Sequence, residues 1–234
     1  MSRSPAFAGV ILAAGASSRM GRDKALLAWR GRTLLETHIN LLQPETDMVI
    51  VVAGANAEAL KAVVYGSAAF LALNPQPELG QFSSLRIGLQ AVLNYGRDAA
   101  IIALVDRPPV SGETLRRLKS EFCNALEQEM WAVVPEIQVP EIQVPEIQLP
   151  EIPATKTDAS ESDASDVAPK HGHPILISRE MIEAFLRAPV TSNARDVEHA
   201  HQDRIRYVPV TDAAVATNWN TPEDYTKGLA ELHS

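Results

Sequence analysis

Residues 7–24 read FAGVILAAGASSRMGRDK, and this stretch decides how the chain begins to fold. Residues 7–14 are nearly all apolar or small, a composition typical of a strand that is buried on both faces of a sheet. The next ten residues contain two serines and three basic side chains, whose burial inside a sheet is unfavourable. The stretch therefore predicts a first strand followed by a polar loop at the strand's carboxyl end.

This loop matches neither of two common phosphate-binding sequences. A P-loop requires Gly-x4-Gly-Lys-Ser/Thr, but Met20 stands where the second glycine would follow Gly15. The dinucleotide fingerprint Gly-x-Gly-x-x-Gly fails as well, because Ser17 stands at its second glycine. Any phosphate binding by this loop must have another basis.

The residues of the loop still favour an anion site. Ala13, Ala14 and Gly15 are small enough for backbone to approach a ligand closely, and exposed N–H groups in a tight loop bind anions. Arg19 and Lys24 add the positive charge that phosphate oxygens require. The alternative is a tight strand–helix connection with solvated cations, and the loop alone leaves both interpretations open.

Along the rest of the chain, strands alternate with helices. Thr33 and Glu36 have the spacing of a capping box, which predicts that a helix starts there. This alternation indicates a Rossmann-like three-layer α/β/α fold with a mostly parallel sheet, in which ligands bind at the carboxyl ends of the strands. Strands are predicted at 7–14, 47–54, 68–74, 98–106, 130–135, 173–178 and 204–210, and helices at 33–42, 56–64, 83–96, 111–126 and 222–232.

Residues 135–168 do not fit this alternation. They begin with PEIQVPEIQVPEIQLPEI, and a proline at every fifth position forbids a regular helix and removes hydrogen-bond donors from a strand. The segment carries eight acids and one base, a charge of -7 out of -8 for the whole chain. We predict a single domain, 1–234, that contains this Pro-rich and acidic disordered insertion, either as a solvated surface loop or as a docking strip.

Composition limits the classes of protein to consider. The 234 residues are 46% hydrophobic, which is enough for one large α/β core, and no apolar run is long enough to span a membrane. Cys123 is the only cysteine, so no internal disulfide is possible and a cytoplasmic location is expected. No basic, aromatic-rich face points to nucleic acid.

Five motifs together resemble the MobA-like nucleotidyltransferases, and are closest to the branch that includes molybdenum cofactor cytidylyltransferases. The first is highly specific, and the others gain weight from occurring in the family's order. They are LAAGASSRMGRDKALL (12–27), GQFSSLRIGL (80–89), LVDRPPV (104–110), HGHPILIS (171–178) and NTPEDY (220–225).

The resemblance implies transfer of a nucleoside monophosphate onto a phosphorylated acceptor such as molybdopterin, with release of pyrophosphate and a possible molybdoenzyme as partner. Arg19 would neutralise the β- and γ-phosphates, and Lys24 would lie at the α-phosphate. Asp106 and Asn220 would hold Mg²⁺, and His173 would contact the acceptor substrate. The implied nucleotide-binding residues are Leu12, Ala13, Ala14, Gly15, Arg19, Lys24, Gly80, Ser83 and Ser84.

Three departures from the family pattern affect the implied metal site. Val105 replaces a glycine, Arg107 adds a charge beside Asp106, and asparagines replace aspartates at 218 and 220. An amide oxygen can still bind Mg²⁺, but without the negative charge of a carboxylate. The implied metal site is therefore weakened.

Ala14 bears on the choice of nucleotide. The guanylyl branch of the family usually has glycine at this position, whereas a Cβ there would crowd a purine. CTP is therefore the expected donor. The alternatives are a sugar-phosphate or other nucleotidylyltransferase, and a nucleotide-binding chaperone with weakened metal chemistry.

Overall fold

The computed structural model describes residues 5–15, 23–137, 170–219 and 221–231. None of the helices in these ranges is long and apolar enough to cross a membrane. In chain order the elements are β1 (Phe7–Leu12), β2 (Ala28–Trp29), β3 (Arg32–Thr33), α1 (Leu34–Leu42), β4 (Met48–Ala53), α2 (Ala57–Gly66), β5 (Phe70–Leu73), α3 (Gln81–Asn94), β6 (Ala99–Leu104), α4 (Gly112–Leu126), β7 (Ala132–Ile137), β8 (Lys170–His171), β9 (Ile175–Ser178), α5 (Arg179–Arg187), α6 (Ala194–Ala200), β10 (Ile205–Val210) and α7 (Pro222–Glu231).

The central sheet has the order β10-β7-β9-β6-β1-β4-β5, with β8 paired to β7. Strand β1 lies parallel to β4 on one side and to β6 on the other. Only β9 runs antiparallel to its neighbours along this order, β6 and β7. The carboxyl ends of β1, β4, β5 and β6 therefore meet at one edge, and the predicted three-layer, mostly parallel fold is confirmed.

Alternate residues of each strand face opposite layers of helices. Ile11 of β1 packs in a cluster with Leu35 of α1 and Phe122 of α4. Val10 belongs to a second cluster, which includes Leu89 of α3 and Phe185 of α5. Since both faces of the sheet are covered, the strands read as continuous apolar runs in the sequence.

Local sequence rules account for most of the helix starts. Thr33 and Glu36 form the predicted capping box at α1, and the Ser111 side chain caps α4 at Thr114 N. Helix α3 begins at Gln81 and not at the predicted Ser83 or Ser84, and no side chain caps it. Gly80 stands at its N-cap with φ of 91°, a conformation that favours glycine.

The predicted insertion begins later than expected. Residues 135–137 are the end of β7, where they pair in parallel with residues 208–210 of β10. Pro135 lacks a donor but its carbonyl accepts a hydrogen bond from Gly172 N at 3.0 Å. Pairing with a strand distant in sequence thus extends β7 past the first proline. The remainder of the predicted insertion, 138–168, lies outside the described residues.

Helix α3 approaches the sheet more closely than a side chain would allow. A Cβ added at Gly88 would lie 2.6 Å from Val10 Cγ1 and 3.0 Å from Val52 Cγ2. Glycine in the middle of a helix normally costs stability relative to alanine. The close contact explains why glycine is nevertheless present here.

We expect Gly88→Ala to destabilise the protein by about 1–3 kcal/mol, because the added methyl overpacks the interface between α3 and the sheet. Urea denaturation measures this change in the free energy of unfolding. Gly66→Ala is the matched control, since a Cβ at this helical glycine meets nothing within 4 Å. Equal effects at the two positions would show that packing at Gly88 is not the constraint.

Candidate functional site

A cavity of about 270 Å³ opens at the carboxyl edge of the sheet. It lies where β1 and β6 end and where α3 begins. Seven of the predicted residues line it: Leu12, Ala14, Gly15, Lys24, Gly80, Ser84 and Asp106. Four residues that were not predicted complete the lining: Asp23, Pro77, Gln81 and Val105. Folding thus brings together residues from three of the five motifs that are separated by up to about ninety positions in the sequence.

Lys24 and Asp106 supply the opposite charges of this cavity. Lys24 opens a 3-10 turn, Lys24–Leu26, and Asp106 follows β6 by two residues. Lys24 Nζ lies 3.9 Å from Asp106 Oδ2, and their side chains are 14% and 38% exposed, so both can contact a ligand. An ammonium beside a carboxylate can bind a phosphate and a divalent cation at adjacent positions.

The start of α3 forms the opposite wall. Gly80 and Gln81 line the cavity, so the amino-terminal end of a 14-residue helix is presented there, which favours an anionic ligand. Ser84 is buried, lines the cavity, and accepts a hydrogen bond from Asn74 Nδ2 at 2.9 Å. Asn74 also donates to Ser83 Oγ at 2.9 Å. The predicted serines are therefore oriented by a buried asparagine.

Two asparagines, Asn56 and Asn74, were missed by the sequence reasoning. Asn56 stands shortly after the buried strand β4, and Asn74 directly follows the partly exposed strand β5. A polar residue at the carboxyl end of a strand is the signal that could have identified them. Asn74 O δ1 accepts from Gln76 N at 3.0 Å, while Asn56 Nδ2 donates to Ala13 O at 2.8 Å. Their amides hold the loops around the cavity.

A divalent cation could be held at this site only with ligands from the substrate as well as from the protein. Among the described residues, no group of three or more histidines, cysteines, aspartates or glutamates could enclose a metal ion. The chemistry of the donors instead suits a hard cation held by Asp106 and by substrate phosphates, as is usual for Mg²⁺. Trp219 N donates to Asp106 O at 3.1 Å, which ties the C-terminal segment to this loop.

Several predicted residues are not part of the cavity lining. Ala13 is buried in the core, although its carbonyl accepts from Asn56. Ser83 lies in the first turn of α3 and donates to Gly80 O at 2.7 Å. Arg19 and Asn220 lie outside the described residues, and their roles stay predictions.

His173 lies away from this cavity. It lines a smaller space with His38 and Arg107. Its Nδ1 is buried, and no described residue forms a hydrogen bond with it. Arg107 Nη1 donates to Val215 O at 2.9 Å, and Arg107 is likewise absent from the lining of the larger cavity. His173 is only partly buried as a residue and lies away from the lining of the 270 Å³ cavity, so its contact with the acceptor substrate stays a prediction.

Burial keeps both of these histidines neutral. It lowers the pKa of His38 from 6.5 to about 4, despite the hydrogen bond between Nε2 and Arg107 O at 3.1 Å and the nearby Asp106. Burial, followed by the charge of Arg107, lowers the pKa of His173 from 6.5 to about 3. The loop after β6 thus rests on uncharged imidazoles at neutral pH.

The folded protein should lose stability as the pH falls from 6.5 toward 4. The unfolded chain takes up protons on these histidines near pH 6.5, whereas the folded chain resists protonation, so acid favours unfolding by a few kcal/mol. In His38→Gln, which keeps an amide donor for Arg107 O but does not titrate, the fall should be smaller. Urea denaturation at pH 7, 6 and 5 measures the free energy of unfolding. If that free energy falls equally with pH in the wild type and in His38→Gln, the role of His38 is contradicted.

Comparison with known proteins agrees with this geometry. Residues 9–205 match the family model described as "MobA-like NTP transferase domain". The chain belongs to this family. The matched range includes four of the five sequence motifs and ends before the NTPEDY motif at 220–225. The predicted resemblance is confirmed at the level of the family.

Within the family, curated relatives carry different names. The chain is 37% identical over 52% of its length to a molybdenum cofactor guanylyltransferase from Xanthomonas euvesicatoria, and 39% identical over 49% of its length to a nicotine blue oxidoreductase from Paenarthrobacter nicotinovorans. These matches span 60% and 56% of the relatives' own lengths. Membership of the family therefore leaves the reaction to be proposed.

A solved structure shows the same fold. Rv0371c from Mycobacterium tuberculosis superimposes with a TM-score of 0.70 at 23% identity, covering 98% of this chain and 100% of that one. The arrangement of strands and helices around the cavity is therefore one that this family of folds adopts.

Proposed function

We propose that this MobA-like domain is a nucleotidyltransferase that moves a nucleoside monophosphate onto a phosphorylated acceptor and releases pyrophosphate. The observation that carries the proposal is the single cavity in which Lys24, Asp106 and the start of α3 face one another. This arrangement provides an ammonium, a carboxylate and backbone donors, as the transfer of a phosphoryl-type group demands. A phosphorylated acceptor needs no general base, because its nucleophile is already an anion.

Each residue has a distinct part in this reaction. Gly15 and Ala14 would place backbone against the nucleotide, and Ser84 would contact its ribose or base. Lys24 would stabilise charge on the α-phosphate as the acceptor oxygen attacks. Asp106 would hold Mg²⁺, which neutralises phosphate oxygens when bound. The predicted contribution of Arg19 to the leaving phosphates, and of Asn220 to the metal, completes the set.

Molybdenum cofactor is the acceptor that we propose, with CTP as the donor. Several relatives are named molybdenum cofactor guanylyltransferases, which supports a molybdopterin acceptor and also makes GTP the second candidate donor. A cytidylyltransferase acting on 2-C-methyl-D-erythritol 4-phosphate is among the relatives as well, at 35% identity over 51% of this chain. Ala14 favours CTP, since Ala14 lines the proposed nucleotide cavity and a Cβ at this position would crowd a purine.

The activity is tested by pyrophosphate release from CTP, GTP, ATP and UTP with Mg²⁺ and purified molybdenum cofactor. Lys24→Ala and Asp106→Ala should each lower turnover by about 10²-fold or more, because each removes a charge that stabilises the transition state. Lys61→Ala and Asp203→Ala are matched controls, since both side chains pair with neighbours on the surface. Tight nucleotide binding without pyrophosphate release would point to a nucleotide-binding chaperone instead.

The choice of base is tested at Ala14. Ala14→Gly should raise the ratio of kcat/KM for GTP to that for CTP by about tenfold, since removal of one methyl from a pocket changes discrimination by about 1–3 kcal/mol. The competing rates are measured side by side with the wild-type chain. An unchanged ratio would show that the Cβ of Ala14 does not select the base.

A further inference from the structure

The side chain of Asn56 joins three segments at the edge of the nucleotide cavity. Its Oδ1 accepts from Gly54 N at 3.0 Å, which fixes the amide against the end of β4. Its Nδ2 donates to Ala13 O at 2.8 Å and to Asp23 Oδ2 at 2.6 Å. A primary amide has two N–H bonds and one carbonyl, so these contacts use both donors and the acceptor.

The two residues that accept hydrogen bonds from Asn56 lie at the two ends of the polar loop that follows β1. Ala13 is the residue that follows β1, and Asp23 is the residue that precedes the turn carrying Lys24. One NH₂ group therefore bonds to both Ala13 and Asp23, the described residues at the two ends of the segment 13–23. Asn56 follows β4, which is outside the loop, so its two hydrogen bonds fix the distance between Ala13 and Asp23 from a different part of the sheet.

The connection continues from Asp23 to Lys24. While Asp23 Oδ2 accepts from Asn56, its Oδ1 accepts from Ala25 N at 2.9 Å and caps the 3-10 turn Lys24–Leu26. Lys24 begins this turn, and its Nζ lies 3.9 Å from Asp106 Oδ2. Asn56 is therefore linked to Lys24 through the Asp23 carboxylate and the turn that Asp23 caps.

We propose that Asn56 is a positioning residue for nucleotidyl transfer, which holds Lys24 at the distance from the β1 backbone that the α-phosphate requires. The inference rests on the proposed function. Asn56 does not line the nucleotide cavity, so it acts through Asp23 and Ala13 and not by touching the ligand. Aspartate could not replace it, because a carboxylate would face a carbonyl and a second carboxylate without a hydrogen to donate.

The first test compares Asn56→Ala with wild type in steady-state turnover of the nucleoside triphosphate that the wild type uses best. We expect kcat to fall about 10- to 100-fold, the effect of misplacing a charged group by about 1 Å, with a smaller change in KM. Asn94→Ala is the matched control, since Asn94 is exposed at the far end of α3 from the cavity. A loss of stability alone would lower the active fraction, and thermal unfolding of both variants separates that effect. Wild-type kcat in folded Asn56→Ala would overturn the inference.

The second test exchanges the hydrogen-bonding partners. Asn56→Asp should be at least as impaired as Asn56→Ala, because it places two carboxylates in contact. Combining it with Asp23→Asn restores a donor to that contact and should recover at least tenfold in kcat over Asn56→Asp alone. No recovery in the double variant would overturn the coupling between these two side chains.

Amide hydrogen exchange separates this inference from the proposed function. In the free protein, Asn56→Ala should speed exchange at Ala25 N, because its acceptor Asp23 loses an anchor, while Asn94→Ala should not. If wild type transfers no nucleotide, the proposed function fails whatever the exchange data show. If wild type is active but exchange at Ala25 and turnover are both unaffected by Asn56→Ala, only the role of Asn56 fails.

Discussion

Strand β1 is the element on which the rest of the molecule depends, because it is bonded on both edges and covered on both faces. Its pairing with β4 and β6 sets three carboxyl ends side by side, and the loops that leave those ends form walls of the proposed nucleotide cavity. A polar loop cannot stay within a layer packed between helices, so the chain must turn where the apolar run stops. The position of the cavity follows from this constraint.

Hydrogen bonds from amide side chains then give the cavity its shape. Asn56 joins the ends of the loop 13–23, and buried Asn74 orients Ser83 and Ser84 at the start of α3. Asparagine is suited to this task, since one side chain can accept from the backbone of its own turn and donate to a neighbouring loop. The charged residues expected to carry out chemistry are thus placed by uncharged residues around them.

The two charged residues of the loop after β6 lie in different surroundings. Asp106 faces the cavity, while Arg107 is directed away from it, to the carbonyl of Val215, and rests on neutral histidines. The charge of Arg107, which follows the proposed metal ligand Asp106 in the sequence, is therefore absent from the cavity wall. Trp219 N bonds to Asp106 O, so the C-terminal segment and the β6 loop are held together as the proposed metal site requires.

The sequence by itself determined the elements whose signals are local. The apolar runs of β1, β4 and β6, the capping box of α1 and the Ser111 cap are set by burial and by side chains within four residues, and the family motifs marked Lys24 and Asp106. Tertiary structure decided what depends on distant partners: the extension of β7 through Pro135 by pairing with β10, the burial of the Nδ1 atom of His173 and the contacts of Asn56. A strand reveals its own burial through its composition, but a hydrogen bond between residues 23 and 56 exists only after the sheet has brought their loops together.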